Sequence, residues 1–543
     1  MSRLGDLARA LVEARPLPLL AGACVLQVAV AAAVAHGSTH NYVLWYSGGD
    51  ATEYWTASWG LAHHLIGQAH ISYGVPALYA WVPPLTGATM ISGLPVIIGV
   101  QLLVLVPLAA LLVWAIGDLL FGRLFAWWAL ALWIAGPLLL LWGFNSSYAP
   151  EFRDLFLAPH WYGLTNMADM PSTVAVLAAT WAVLRAVARH SADDAVLAGL
   201  FAGLAIGLKP ANGFYLAAIA VLLVARWSTR VVVAWALGFL PPLLTLALWK
   251  KKGLGELPVF AYRRTREALG SSTVAAINNP YVRFDLSHLE GELRDLANAF
   301  WSLRLLEFLV LAGLVGAFRR SPLKAAFLAV WFAGFAILKG SSTLASVTSL
   351  NYWRYIEPGI PAFVLLAAST VFLVPRRARP FAPPHEPGAL PGGRWTVLGL
   401  VAVFGLVPLV LIAVTPPASS ARYAWDPARG NSAPISSALQ ATATPVGGTV
   451  KLAWHGVDTG STRAYYIVYR SASAATCSIP GGGGKECDLQ MTTVGLTRDT
   501  TYVDHPPAGR HWYRIGLAAD YTGTVNGSDL MLVGPATAVS TAR

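Results

Sequence analysis

Residues 17–35, LPLLAGACVLQVAVAAAVA, run for nineteen positions without a charged side chain. In an α-helix that length rises about 28 Å, close to the hydrocarbon thickness of a bilayer. Apolar runs of the same kind recur at 93–116, 124–143, 171–188, 195–208, 211–225, 231–248, 303–318, 323–338, 356–374 and 395–415. The pattern reads as a polytopic α-helical membrane protein with about 11 transmembrane helices. Composition agrees, since 56% of the 543 residues are hydrophobic and only 12% are charged. Soluble domains carry about a quarter charged residues. The pair 195–208 and 211–225 is short and broken at Lys209-Pro210, and reads as a tight hairpin confined to the outer interface.

Arg3, Arg9 and Arg15 precede the first run, as in a secretory leader, but no small-residue cleavage site leads from it into soluble sequence. The run is read as a retained span, with a cytoplasmic N-terminus, of a multi-pass protein in the plasma (inner) membrane. Every loop then assigned to the inside is basic: Arg123; Arg185 and Arg189; Arg226 and Arg230; Arg319, Arg320 and Lys324; Arg376, Arg377, Arg379 and Arg394. The outer segments are 36–92, 144–170, 249–302 and 339–355, with the tail beyond about 416. The 21 Trp and 19 Tyr suit interfacial belts. A net charge of +11 is no argument for nucleic acid in such a chain. Its Lys and Arg set orientation and meet anionic membrane lipids. One outer segment, 249–302, breaks the charge rule with Lys250, Lys251, Lys252, Arg263, Arg264, Arg266, Arg283 and Arg294. Either a span is miscounted there, or the surface grips an anionic headgroup, for which guanidinium forks are suited.

The chain changes character after Pro416-Pro417. A linker at 416–432 leads into a polar segment, 433–543, with short alternating runs at 449–456, 464–471, 501–507, 511–520 and 530–540. That spacing predicts an all-β sandwich of about seven strands, extracytoplasmic like the outer loops. Trp454 in the second strand, YYIVYRS as the third and Tyr513 at the place of a tyrosine corner resemble a fibronectin type III domain. The resemblance implies a binding or spacing module of about 110 residues. Cys477 and Cys487 flank SIPGGGGKE and can pair in an exported domain. That family usually lacks disulfides, so such a bridge would staple a local insertion. Cys24, inside the first run, reads as a small buried side chain.

Chemistry concentrates in the outer segments. In SGGDATEYW (47–55), Asp50 and Glu53 stand one helical turn apart and share a face, with Tyr54 and Trp55 next and Trp59 and His63 beyond. An interfacial amphipathic helix accounts for this pattern by itself. So does a catalytic acid at a cavity mouth, with Gly48-Gly49 as its hinge. Asp169 precedes Met170-Pro171 at a helix N-terminus, where a carboxylate caps free N–H groups. Lys209 and Arg354 lie at outer helix ends, where dipole stabilisation or snorkelling explains them without function.

Four segments in order resemble the GT-C superfamily of membrane glycosyltransferases over about 15–375. Asp50 and Tyr54 precede a Pro76, Tyr79, Pro83, Pro84 pattern before the second span. NMADMPSTVAVLAATWAVL (166–184), the Gly-rich hairpin around Lys209 (195–223) and NYWRYIEPGIPAFVLLAAS (351–369) follow. The resemblance implies transfer of a sugar from a polyprenyl-phosphate donor to an extracytoplasmic cell-envelope acceptor, whether glycan, lipid or protein. Inverting transfer needs one base on the acceptor hydroxyl and cations for the leaving phosphate. A phosphate leaves without protonation, so the carboxylate pair of a glycosidase is unnecessary. Asp50 is therefore expected as general base with Glu53 as helper. Arg354, Lys209, Tyr355 and the Arg263–Arg264–Arg266 cluster are expected at the lipid phosphate. Tyr54, His160, Trp161 and Asp169 are expected against sugar or acceptor, with Glu151 and Asp154 as further acids. There is no HExxH motif or Cys cluster, and a divalent metal ion between Asp50 and Asp169 is the one cofactor left open. Two other readings compete. A lipid-linked-sugar transporter predicts mid-membrane charges and inverted repeats. A non-catalytic anchor presenting an adhesion domain needs neither so many spans nor an acid and cations on one face.

Overall fold

All the apolar runs form helix in the computed structural model, which describes residues 16–37, 50–67, 69, 71–87, 90–143, 161–254, 286–299, 305–339, 350–374, 386–390, 392–417, 423–426, 431–457, 464–473, 487–488, 491–520 and 528–541. The helices are α1 (Pro16–Gly37), α2 (Asp50–Ala62), α3 (Gly74–Tyr79), α4 (Pro83–Thr86) and α5 (Met90–Val100). A π turn, Gln101–Leu105, joins α5 to α6 (Val106–Phe121). There follow α7 (Arg123–Gly143), α8 (Asp169–Arg189), α9 (Ala192–Leu208), the 3₁₀ turn Pro210–Tyr215, α10 (Leu216–Ala225) and α11 (Thr229–Leu254). The remainder are α12 (Leu286–Ala299), α13 (Leu305–Arg320), α14 (Pro322–Ala333), α15 (Leu350–Ile356), α16 (Ile360–Ser369), α17 (Arg394–Val401) and α18 (Val407–Val414).

Not every apolar run is a span. Among the described residues six helical stretches are long and apolar enough to cross a membrane: Pro16–His36, Ser92–Phe121, Asp169–Arg189, Thr229–Gly253, Tyr352–Leu373 and Arg394–Val414. Arg123–Leu139, Pro210–Ala225 and Pro322–Ile337 are shorter apolar helices. Length and composition thus support six spans among the described residues, without reaching the expected count of about 11. The cause is local: α9 has 17 residues with Asp193 and Asp194 in its first turn. Helix α13 has 16 and ends on Arg319 and Arg320. The outward faces of the long helices are apolar, with Leu17, Val25 and Leu26 on α1, Leu237 and Leu240 on α11 and Val407 and Val410 on α18 all exposed. Continuous exposed apolar surface of this kind needs a cover, and lipid supplies it.

The hairpin expectation for 195–208 is corrected. Helix α9 runs beside α8 along its whole length, because both of its ends are ion-paired to α8. Asp194 receives Arg185 Nε at 2.8 Å and Arg189 Nη1 at 3.3 Å. At the opposite end Lys209 meets Asp169. Helix α9 also packs tightly on α11, where Gly199 faces the Trp235 carbonyl and Gly238 faces the Val196 carbonyl. A Cβ at either glycine would collide with backbone, so two small residues set the helix separation. The result makes α8 the buried centre of the bundle, with Val176, Leu177, Ala179 and Ala182 fully enclosed.

The C-terminal region is all β. Strands β1 (Tyr423–Asp426), β2 (Asn431–Pro434), β3 (Thr442–Val446), β4 (Thr449–Ala453), β5 (Ala464–Ser471), β6 (Cys487–Asp488), β7 (Thr492–Thr497), β8 (Thr501–Asp504), β9 (Gly509–Asp520), β10 (Ser528–Val533) and β11 (Thr537–Thr541) form three sheets. One sheet is ordered β3-β4-β8; a second is β7-β5-β9-β10, with β11 also on β9; the third is β2-β1-β6. The run expected at 530–540 is two strands, broken at Gly534-Pro535. The expected linker at 416–432 carries β1, paired antiparallel to β2. Trp454 lies just past β4, buried edge-on against Tyr466 at 5.3 Å. The Tyr513 hydroxyl donates to Asp504 Oδ2 at 2.6 Å, a side-chain partner, and Arg470 reaches the same oxygen at 2.7 Å. Cys477 lies outside the described residues, so the pairing with Cys487 is not addressed.

This β region rests on the N-terminal side of the bundle. Strands β2 and β10 lie against α2. The Ile66 N–H also donates to the Pro416 carbonyl at 3.0 Å, tying the end of α18 to the segment after α2.

Candidate functional site

Four helix ends distant in the chain deliver charge to one point. Asp50 is the first residue of α2 and Asp169 the first of α8. Lys209 follows α9 in extended conformation, φ −146° and ψ 106°, because Pro210 disfavours helix at the residue before it. The Lys209 N–H still bonds the Ala205 carbonyl at 2.9 Å, so the helix end is closed while its side chain turns away. Arg354 sits in the last turn of α15.

Arg354 is the centre. Its Nη2 donates to Asp50 Oδ2 at 2.6 Å, and its Nε to Asp169 Oδ2 at 3.3 Å. Lys209 Nζ donates to Asp169 Oδ1 and to the Arg354 carbonyl. Both carboxylate oxygens of Asp169 therefore accept from cations. Asp169 does not cap α8, whose N-cap position is Ala168. Burial divides the two acids. The Asp169 side chain is 1% exposed and that of Asp50 49%, while Arg354 and Lys209 are 12% exposed. The Arg354–Asp169–Lys209 arrangement is thus a buried, fixed unit. The Asp50–Arg354 contact is its wet edge, worth about 0–1 kcal/mol and able to open.

The surrounding chain holds this geometry. Asn166 Nδ2 donates to the Ala51 carbonyl at 3.1 Å, pinning the start of α2 to the segment before α8. Gln101, in the π turn, donates to the Thr165 carbonyl at 2.7 Å. Tyr352 and Trp353, packed edge-on at 5.3 Å, are buried beside Arg354. Tyr355 is half-buried on the same turn. Tyr54 is buried next to Asp50. Desolvation, then the Asp50 charge, push its hydroxyl well above the usual tyrosine range, so it stays a neutral donor.

The Glu53 charge acts on Lys250, whose Nζ donates to the carbonyls of Ala69 at 2.5 Å and Ile71 at 3.1 Å. Lys252 Nζ donates to the carbonyls of Ile412, Ala413 and Thr415, at 2.8, 2.6 and 2.7 Å. These lysines tie α11 to neighbouring backbone, which corrects their reading as a headgroup-gripping surface. The miscounted-span alternative has a partial basis, because α11 extends to Leu254, beyond the expected 248. Trp161 is corrected too. It is buried at 5.0 Å from Trp133 and abuts Gly136, leaving no ring face open to a sugar. His160, Glu151, Asp154, Arg263, Arg264 and Arg266 lie outside the described residues.

The donor set does not suit the divalent ion left open by the sequence. No group of three or more His, Cys, Asp or Glu side chains converges among the described residues. Arg354 also stands between Asp50 and Asp169, so a dication there would face two cations at close range. What the arrangement offers instead is a half-exposed carboxylate beside two cations with forked and point-charge geometry, the combination that receives phosphate oxygens.

One residue of this cluster is not among the expected sites. Glu357, in the 3₁₀ turn Glu357–Gly359 that joins α15 to α16, is 3% exposed. Asp169, Lys209 and Arg354 act on it electrostatically. The sequence signal is present in RYIEPGIP, where Glu357 falls three residues after Arg354 and so on the same face.

No protein-family profile matches the chain, and neither curated proteins nor solved structures match it.

Proposed function

We propose that the chain is an integral membrane glycosyltransferase. It would move a sugar from a polyprenyl-phosphate donor to an extracytoplasmic cell-envelope acceptor, with inversion. The observation that carries this reading is the meeting of Arg354 with both Asp50 and Asp169, while Lys209 holds the other face of Asp169. Inverting transfer to a hydroxyl needs one exposed base and a fixed electropositive seat for the leaving phosphate. Asp50 is the exposed base. Arg354 and Lys209 form the seat, and Asp169 positions both. In the resting state Asp50 fills the place a phosphate oxygen would take on Arg354. On donor binding the guanidinium fork turns to phosphate, and Asp50 is released to accept the acceptor's hydroxyl proton. That hydroxyl oxygen bonds to the anomeric carbon as the bond to phosphate oxygen breaks, and the leaving phosphate carries its electron pair onto the two cations.

The membrane reading extends in the same way. The inside-basic loops support a cytoplasmic N-terminus, with Asp50, Asp169, Lys209 and Arg354 outside, and the shorter helices completing a GT-C-like bundle of about 11 spanning segments. The β3-β4-β8 and β7-β5-β9-β10 sheets support a fibronectin type III-like module. The packing of β2 and β10 on α2, the helix that begins with Asp50, supports a role for this module in presenting an acceptor glycan. A transporter is less well supported, because the converging charges stand at helix ends. A passive anchor gives no reason for two acids to converge on one arginine. The experiment is transfer of radiolabelled sugar from polyprenyl-phosphate mannose, glucose or arabinose by membranes carrying the wild type or Asp50→Asn. The reading expects transfer with at least one donor and its loss in the variant. Transfer only from a soluble nucleotide sugar would overturn the donor class.

A further inference from the structure

The cluster contains one group that the resting structure leaves unsatisfied. Glu357 Oε2 is buried and has no hydrogen-bond partner among the described residues. Leaving a buried carboxyl oxygen without a partner costs more than any ordinary hydrogen bond returns. The turn that carries it cannot easily swing away. Trp331 Nε1 donates to the Pro358 carbonyl at 2.8 Å, and a Cβ at Gly359 would sit 2.9 Å from Phe335. Glu357 is therefore held rigidly in place, beside Asp169, Lys209 and Arg354, with an open valence.

We propose that Glu357 is a sugar-binding residue, whose buried carboxyl takes a hydroxyl of the donor's glycosyl group while Arg354 and Lys209 hold the phosphate. The inference rests on the polyprenyl-phosphate reading above and names the part of the donor that Glu357 recognises. The chemistry selects a hydroxyl. A phosphodiester oxygen has no proton to donate, so it can meet only a protonated carboxyl and is repelled by an ionised one, whereas a sugar hydroxyl suits both forms. A hydroxyl both donates and accepts, so it satisfies the carboxyl with or without a proton. Being neutral, it also adds no charge to a cluster that already holds three carboxyls, Asp50, Asp169 and Glu357, against Arg354 and Lys209. Recognition of this kind discriminates strongly, because a ligand lacking the hydroxyl leaves the buried oxygen unpaired.

The test compares two ligands on the full-length protein in lipid nanodiscs: bare polyprenyl phosphate, and the polyprenyl-phosphate sugar that the wild type binds best of the mannose, glucose and arabinose forms. The wild type is expected to prefer the sugar-bearing lipid. Glu357→Ala is expected to reduce that preference at least tenfold, the size of one hydrogen bond to a charged group, with bare-lipid affinity changed less than threefold. Glu357→Gln keeps the volume and carries the test alone should the alanine variant not fold. It is expected to lose at least threefold in preference. Equal weakening of both ligands, or no change in either, overturns the sugar-binding role while leaving the phosphate reading intact. A wild type that binds neither ligand overturns both.

Discussion

Asp50 and Arg354 are 304 residues apart in the chain, and their side chains meet at 2.6 Å. The contact joins the first turn of α2 to the last turn of α15 at the edge of a buried Arg–Asp–Lys unit. A half-exposed pair is worth little, so on the proposed reading Arg354 would exchange Asp50 for a phosphate oxygen at small cost. The buried partners of Arg354 cannot be exchanged so easily.

Asp50→Asn keeps the shape but replaces one acceptor oxygen by an NH2 donor and cannot accept a proton. Transfer is expected to fall about 10²–10⁴-fold in kcat. Donor KM should fall slightly or stay unchanged, since Arg354 loses only a weak competing anion. Glu53→Gln should cost less than tenfold, because on the proposed reading the proton goes to Asp50 and Glu53 only helps, its charge also acting on Lys250. A Glu53→Gln loss as large as that of Asp50→Asn would mean that the two roles are reversed.

Arg354→Ala removes the cation common to Asp50 and Asp169 and takes one of its cations from the 1% exposed Asp169. Breaking a buried pair costs about 3–5 kcal/mol. Lowered thermal stability is expected together with lost donor binding. Arg354→Lys should restore most of the stability but not the binding, because an ammonium lacks the fork. Thermal unfolding measured beside lipid binding separates the two effects.

Lys209 and Asp169 should be energetically coupled. In a double-mutant cycle of Lys209→Met and Asp169→Asn, the interaction term is expected at about 1–3 kcal/mol, since both side chains are nearly enclosed. Additive losses would show that the contact contributes nothing.

Chelation is expected to leave polyprenyl-phosphate binding within threefold, because Arg354 and Lys209 supply the positive charge that a dication would. A large loss in EDTA, restored by one divalent ion, would show that the residues rearrange to hold a metal.

In the β region, burial and then the hydrogen bond to Asp504 push the Tyr513 hydroxyl above its usual range. A tyrosine raised in the folded state contributes stability below its unfolded pKa of about 10 and loses it as pH climbs beyond that value. The β region is therefore expected to unfold progressively above about pH 10. Tyr513→Phe should flatten that alkaline limb while lowering stability near neutrality, as circular dichroism across pH would reveal.

Much of the architecture is local and could be read without coordinates. The run 464–471 matches β5 residue for residue, because a continuous run of β-branched and aromatic side chains favours a strand locally. Helix α8 matches its expected span to within two residues at its start. Misreadings arose where neighbours decide. Lys250 and Lys252 look like a lipid-facing cluster in the chain, yet they reach carbonyls of other segments. Trp161 looks like a sugar platform, yet it packs on Trp133. The hairpin expectation for 195–208 failed because nothing in that run reveals that Asp194 and Lys209 have partners at opposite ends of α8.

The sequence by itself determined the class of the protein: apolar runs of membrane length, a polar alternating tail, and acids and cations at helix ends. Periodicity and transfer energy act along the chain and need no partner. Only the tertiary structure decided which of those charges belong together. It joined Arg354 to Asp50 and Asp169, and set Glu357, with one carboxyl oxygen unpartnered, within electrostatic range of that cluster. Electrostatic and hydrogen-bond energies depend on distance and burial, and residues as far apart as Asp50 and Arg354 acquire both only when the helices pack.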